Sequence, residues 1–174
     1  MPRTYPTAAL PIAYAMLRAL VILNWLMGAA ILVLLLLMPH EQWLMKAFKL
    51  VPSPEAERLS TGMRVIAVLG LAAVPLNHAV LKRLIGIVET VRAGDPFVPA
   101  NVYRLQAIAW ALLALQLLSL VIGAIAKAVS TSSQPFDVDA GFSISGWLAV
   151  FLSFVLARVF AEGTLMREDL QGTV

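Results

Sequence analysis

A polar side chain inside an apolar run must find a partner or a ligand, so such residues are where this chain of 174 residues can do chemistry. Pro75-Leu76-Asn77-His78 interrupts one long apolar stretch. A proline there removes a backbone hydrogen bond and bends the helix, and an imidazole beside a bend can hold a ligand, a proton or an ion. Asn77 and His78 are therefore ligand candidates. Asn24, next to Trp25, is a third. The simpler use of Asn24, and of Gln116 and Ser119, is an interhelical hydrogen bond worth roughly 1 kcal/mol. His78 also lies four residues before Lys82, close enough to headgroup level for water to reach it.

Catalytic chemistry has little to work with. His40 and His78 are the only histidines and are too far apart in sequence for a paired metal site on one helix. The chain has no cysteine, which rules out thiolate metal sites and disulfides. Asp137 and Asp139 fall in one loop without the surrounding oxygen ligands that a cation cage needs. The run Ser130-Thr131-Ser132-Ser133 has no histidine near it, and Gly94-Asp95-Pro96 is not a phosphate-cradling glycine loop. The expectation is a protein that is not an enzyme and carries no cofactor and no metal.

The elements that position these residues are four apolar segments, Ala19–Met38, Val65–Leu81, Ile108–Val129 and Ile144–Phe160. Each approaches the ~20 residues that cross a bilayer core of ~30 Å as a helix. Only 13% of residues are charged and mean hydropathy is +0.86, against about 25% charged in soluble domains. The pattern predicts an all-α integral membrane four-helix bundle in one domain, built of two transmembrane hairpins with cytoplasmic helix extensions. Its spans are residues 15–38, 62–81, 106–129 and 143–160. A cytoplasmic hairpin covers 82–105, outer loops 39–61 and 130–142, and a cytoplasmic tail 161–174. The first apolar run is too long for a cleaved signal peptide and lacks a small-residue cleavage site, so it reads as a retained span.

Charge sets the expected orientation. With both termini inside, eight of the 13 Lys and Arg lie inside and five outside, which favours cytoplasmic termini in the bacterial inner membrane. The basic residues flank the spans and do not cluster on a soluble face. The net charge of +3 therefore implies membrane lipids and not direct nucleic-acid binding.

The loops differ in kind. Trp43, Leu44, Ala47 and Phe48 share a helical face within Glu41–Leu50, the pattern of a short interfacial helix that Pro52 and Pro54 end. From Lys82 to Ala93 the apolar period of span two continues through Leu84, Ile85, Val88 and Val91. This predicts a helix projecting past the membrane until Gly94, a left-handed cap. Pro99 is placed to open the next helix, which leaves Gly94–Pro99 as the tip of a hairpin.

A similar pattern recurs at Phe160–Leu165, with Gly163 in the cap position. This suggests a weak internal repeat of two hairpins, each ending in a Gly-capped element. Small residues Gly146, Ala149, Ser153 and Ala157 predict a close-packing face on span four, with Trp147, Leu148, Phe151 and Phe154 turned elsewhere. A compact bundle follows, and a homodimer is compatible with it.

Two stretches carry a family resemblance: Leu84-Ile85-Gly86-Ile87-Val88 leading into Gly94-Asp95-Pro96-Phe97-Val98-Pro99-Ala100-Asn101, and the closing residues from Val159 through Asp169-Leu170-Gln171-Gly172-Thr173-Val174. They resemble the small bacterial membrane proteins of domain-of-unknown-function family 2975. The resemblance implies a four-helix membrane protein, often encoded beside a short helix-turn-helix regulator, and brings no catalytic residues. Together with the projecting hairpin it favours a regulatory or scaffolding protein that docks a cytoplasmic partner such as that regulator. Gly94, Asp95, Phe97, Asn101, Gly163 and Asp169 are the docking candidates. The alternative is a small-molecule or lipid sensor, or a transporter component, acting through the bent second span.

Overall fold

The computed structural model describes residues 9–37, 54–130 and 141–172. They form four helices, α1 (Ala9–Leu37), α2 (Pro54–Arg92), α3 (Pro99–Val129) and α4 (Ile144–Gly172), with no strand among the described residues. The interfacial helix expected at 41–50, and His40, Asp137 and Asp139, lie outside them.

All four helices are long and apolar enough to cross a membrane, and the chain is a multi-pass, all-α membrane protein. The 39 residues of α2 extend for about 58 Å, nearly twice a hydrocarbon core of ~30 Å. Pro75 lies inside α2 without ending it. The surplus length carries α2 to a turn well beyond the apolar run.

Packing follows chain order. α1 packs on α2, α2 on α3 and α3 on α4. Much of the apolar surface of α1 and α4 is consequently exposed, Leu23 and Leu26 on one and Phe151 and Val159 on the other among it. Lipid is the natural cover for such a surface.

Glycines supply the closest contacts between neighbouring helices, because a missing Cβ lets a facing side chain reach the backbone. Gly28 of α1 faces Val74 of α2, Gly62 of α2 faces Val129 of α3, and Gly146 of α4 faces Gln116 of α3. Leu59 and Met63 are buried beside Leu35 and Val129 where α1, α2 and α3 meet. One helical turn before Gly28, the Asn24 amide donates to the Val74 carbonyl at 3.1 Å. Asn24 thus fills the structural role weighed for it, on the same residue that Gly28 accommodates.

The small-residue face of α4 differs from the expected one. Gly146 and Ala157 meet α3, but Ala149 is exposed and Val150 is buried in its place. Residue 150 follows Gly146 by one full turn, whereas 149 is rotated away. Phe154, expected to face elsewhere, makes an edge-on contact with Trp110 of α3 at 5.4 Å. Ser119 bonds both backbone groups of Gly141 just ahead of α4, at 3.1 and 3.3 Å. Gln116 makes no such bond through its amide nitrogen, which is buried without a partner among the described residues.

Substitution at two glycines of α2 should separate close packing from helix propensity. A Cβ at Gly62 would lie 2.5 Å from Val129 Cγ1, and branched Val129 cannot swing clear, so Gly62→Ala should lose roughly 1–3 kcal/mol. A Cβ at Gly70 would meet only Ile31 Cδ1 at 3.8 Å, so Gly70→Ala should gain up to about 1 kcal/mol. Thermal unfolding of the two variants in detergent measures the opposite signs.

Candidate functional site

The surplus of α2 and the start of α3 build the tip. α2 ends at Arg92, and Gly94 follows at φ +82°, a conformation that L side chains rarely adopt. The amides of Ala93, Gly94 and Asp95 donate to the carbonyls of Glu89, Val91 and Thr90 at 3.0, 3.1 and 3.0 Å, closing the free end of the helix. Pro96 lacks an N–H and cannot continue the helix. Pro99 begins α3, where its absent donor goes unmissed.

Asn101, on the first turn of α3, has 0% exposure. A buried carboxamide must place two donors and an acceptor. Its Nδ2 donates to Thr90 Oγ1 of α2 at 2.6 Å and to the Pro96 carbonyl of the turn at 2.8 Å. Its Oδ1 accepts from Arg104 Nη1 at 2.8 Å. The same guanidinium nitrogen donates to the Gly86 carbonyl at 3.1 Å, and the Thr90 hydroxyl donates to the Ile87 carbonyl at 2.8 Å. One side chain therefore ties the end of α2, the turn and the start of α3 together. With no surface to offer, Asn101 cannot itself touch a partner, and its role is to hold the tip together.

The final turns of α4 close over the tip. Phe97 lies against Phe160 with ring centroids 5.3 Å apart and fills the space left by Gly163, where a Cβ would come within 3.0 Å of the ring. Arg167 donates to the Asp95 carboxylate and, at 3.3 Å, to the Phe97 carbonyl. Asp95, Phe97 and Gly163, three of the docking candidates, meet here, with Gly94 at the turn and Asp169 exposed one turn beyond Leu165.

Gly163 is no helix cap. α4 runs through it to Gly172, and the following Thr164 is buried with its hydroxyl on the Phe160 carbonyl at 2.8 Å. Gly94 is followed by proline two residues later, whereas Gly163 is followed by residues that continue a helix. The two glycines thus have opposite roles, and the proposed repeat is not present in the structure.

The ligand candidates do not converge. Asn24 is bonded to α2, and Asn77 is exposed. His78 sits 5.4 Å from Trp25, ring to ring, and borders a cleft that neither asparagine lines. Among the described residues no group of three or more His, Asp or Glu could hold a metal ion.

Sequence reasoning passed over Thr90, met Gly86 only within the family resemblance, and took Arg104 and Arg167 only as cations. The three-residue spacing of Asn101 and Arg104 on a helix was the available signal.

A family model matches residues 37–174, and its family is described as a protein of unknown function (DUF2975). The chain belongs to this family. No curated protein and no solved structure matches it. The DUF2975 segment takes in the tip, the cleft and all of α2, α3 and α4.

Replacing Asn101 by leucine keeps the volume but strands the groups it pairs, at a cost of roughly 2–4 kcal/mol. Hydrogen exchange should accelerate at the amides of Ala93, Gly94 and Asp95 and leave the middle of α3 protected. Gly163→Val should displace Phe97 without disturbing the Asn101 bonds. Its expected signature is faster protease cleavage near Phe97 with tip amide protection kept.

Proposed function

We propose that this DUF2975 protein is a non-enzymatic regulatory or scaffolding component of the bacterial inner membrane, whose tip docks a cytoplasmic protein such as a small helix-turn-helix regulator. The carrying observation is a surface made rigid by buried polar bonds and left partly uncovered. Phe97 is 41% exposed despite its contact with α4, and Leu165 and Met166 are more than half exposed beside Arg167. Apolar side chains held on a fixed frame beside charged ones are the composition of a docking patch.

Orientation follows from charge. Lys82, Arg83, Arg92, Arg104, Arg158 and Arg167 all belong to the half of the protein that carries the tip, so the positive-inside rule puts the tip in the cytoplasm. The amino-terminal end of α1 belongs to the same half, because Arg92 lies 5.3 Å from the Tyr14 ring. Both termini are accordingly cytoplasmic in this proposal.

Transport or sensing through a paired Asn77 and His78 has less support, since Asn77 is exposed and takes no part in the cleft beside His78.

Co-purification of the full-length protein with a helix-turn-helix regulator encoded beside its gene provides the test. Phe97→Ala and removal of residues 168–174 should each reduce recovery of the regulator at least about tenfold, the loss of one interfacial hot spot. Unchanged recovery in both variants, with the protein still folded in the membrane, rejects docking at the tip.

A further inference from the structure

Below the tip, where the apolar run of α2 gives way to charge, α2 and α3 part to form an open cleft of about 610 Å³. His78, Lys82, Arg83, Gly86 and Glu89 line it from α2, and Arg104 from α3. Three cations thus face a single carboxylate. None of the three makes an ion pair among the described residues, although Arg158 pairs with Glu162 and Arg167 with Asp95 elsewhere in the protein. Three cations gathered at one cleft with a single carboxylate, and ion-paired with none, suit an anion from outside the chain.

The cleft is also preorganised. Arg104 lies directly on the α2 backbone because Gly86 has no side chain, and a Cβ there would be 2.9 Å from Arg104 Nε. One nitrogen, Nη1, is fixed by Gly86 and Asn101, which sets the plane of the guanidinium and leaves its other donors for a ligand. Arg83 is held by its Nη1 bond to the Ala79 carbonyl at 2.9 Å. The His78 ring borders the same cleft and is held 5.4 Å from the Trp25 ring of α1. Two oriented guanidinium groups and the Lys82 ammonium match the oxygens of a phosphate.

We infer that this cleft binds the phosphate of an anionic phospholipid headgroup, with Lys82, Arg83 and Arg104 as its ligands. Placement favours a lipid over a soluble phosphate. Lys82 is the first charged residue after Val65–Leu81, a run without Asp, Glu, Lys or Arg, which sets the opening at headgroup depth, and basic pockets between spans on the cytoplasmic side take such headgroups. The site shares the Asn101–Arg104 bond with the tip but none of the exposed docking residues, and it rests on the proposal above only for its cytoplasmic orientation.

The test uses full-length protein in phosphatidylcholine nanodiscs, titrated with phosphatidylglycerol and followed by native mass spectrometry of retained lipid. The wild type should retain phosphatidylglycerol preferentially. The double variant Lys82→Gln with Arg83→Gln should weaken retention at least about tenfold, as expected for two lost cations. The charge-preserving double variant Lys82→Arg with Arg83→Lys should keep most of it. Arg158→Gln, which removes an exposed cation outside the cleft, should leave retention unchanged. Equal loss in Arg158→Gln, or no loss in the double glutamine variant, overturns the site. Displacement of the lipid by millimolar inorganic phosphate or glycerol phosphate overturns its assignment to a lipid headgroup. The helix-turn-helix co-purification is unaffected by either result, so failure here is distinct from failure of docking.

Discussion

A carboxamide sealed from solvent has to complete its hydrogen bonding within the protein, and at Asn101 this requirement shapes everything at one end of the molecule. Its nitrogen reaches α2 and the turn at once, and its oxygen holds Arg104. These bonds can coexist only if Gly94 turns the chain back tightly enough for Pro96 to sit over the start of α3. The tip is therefore a shape enforced by polar satisfaction, since turns of this kind have little apolar surface to bury. Phe97 is held out from that frame toward α4, and Arg104 is held down toward the cleft.

Within the membrane a different constraint governs. Lipid tails are as apolar as the side chains, so burial alone gives helices no reason to associate, and contact quality decides. The glycines at positions 28, 62 and 146 permit that contact by admitting Val74, Val129 and Gln116 to the backbone. Polar bonds are added where they can be satisfied locally, as Asn24 is by the Val74 carbonyl. The result is an ordered row, in which each helix packs mainly on its neighbours in sequence.

Features governed by nearby residues were legible in the sequence. Gly94 and Pro99 stop and start helices through their own backbone chemistry, and four long apolar runs become helices whatever surrounds them. Features governed by distant residues were not. Gly163 resembles Gly94 in its local setting, but its role is set by a ring on a different hairpin. Asp95 and Arg167 are 72 residues apart, and nothing in their spacing couples them. Asn101 was visible as a polar residue beside a turn, where exposure is the ordinary outcome, and only the three-dimensional path of Arg104 and Thr90 reverses that. The small side chain of Ala149 suggests the contact face, but the neighbouring Val150 occupies it, because position along the helix and not side-chain size decides which residue faces α3.

The sequential packing of the helices also fixes an order of events during synthesis. Each span can settle against one already in the bilayer, and the Asn101 network is complete once α2 and α3 have met. At the tip, Phe97 and Asp95 must wait, because the residues that receive them, Phe160, Gly163 and Arg167, belong to the last turns of α4. Between those two moments the growing protein carries a finished turn with a bare aromatic ring, which the late-emerging helix then shields on one side.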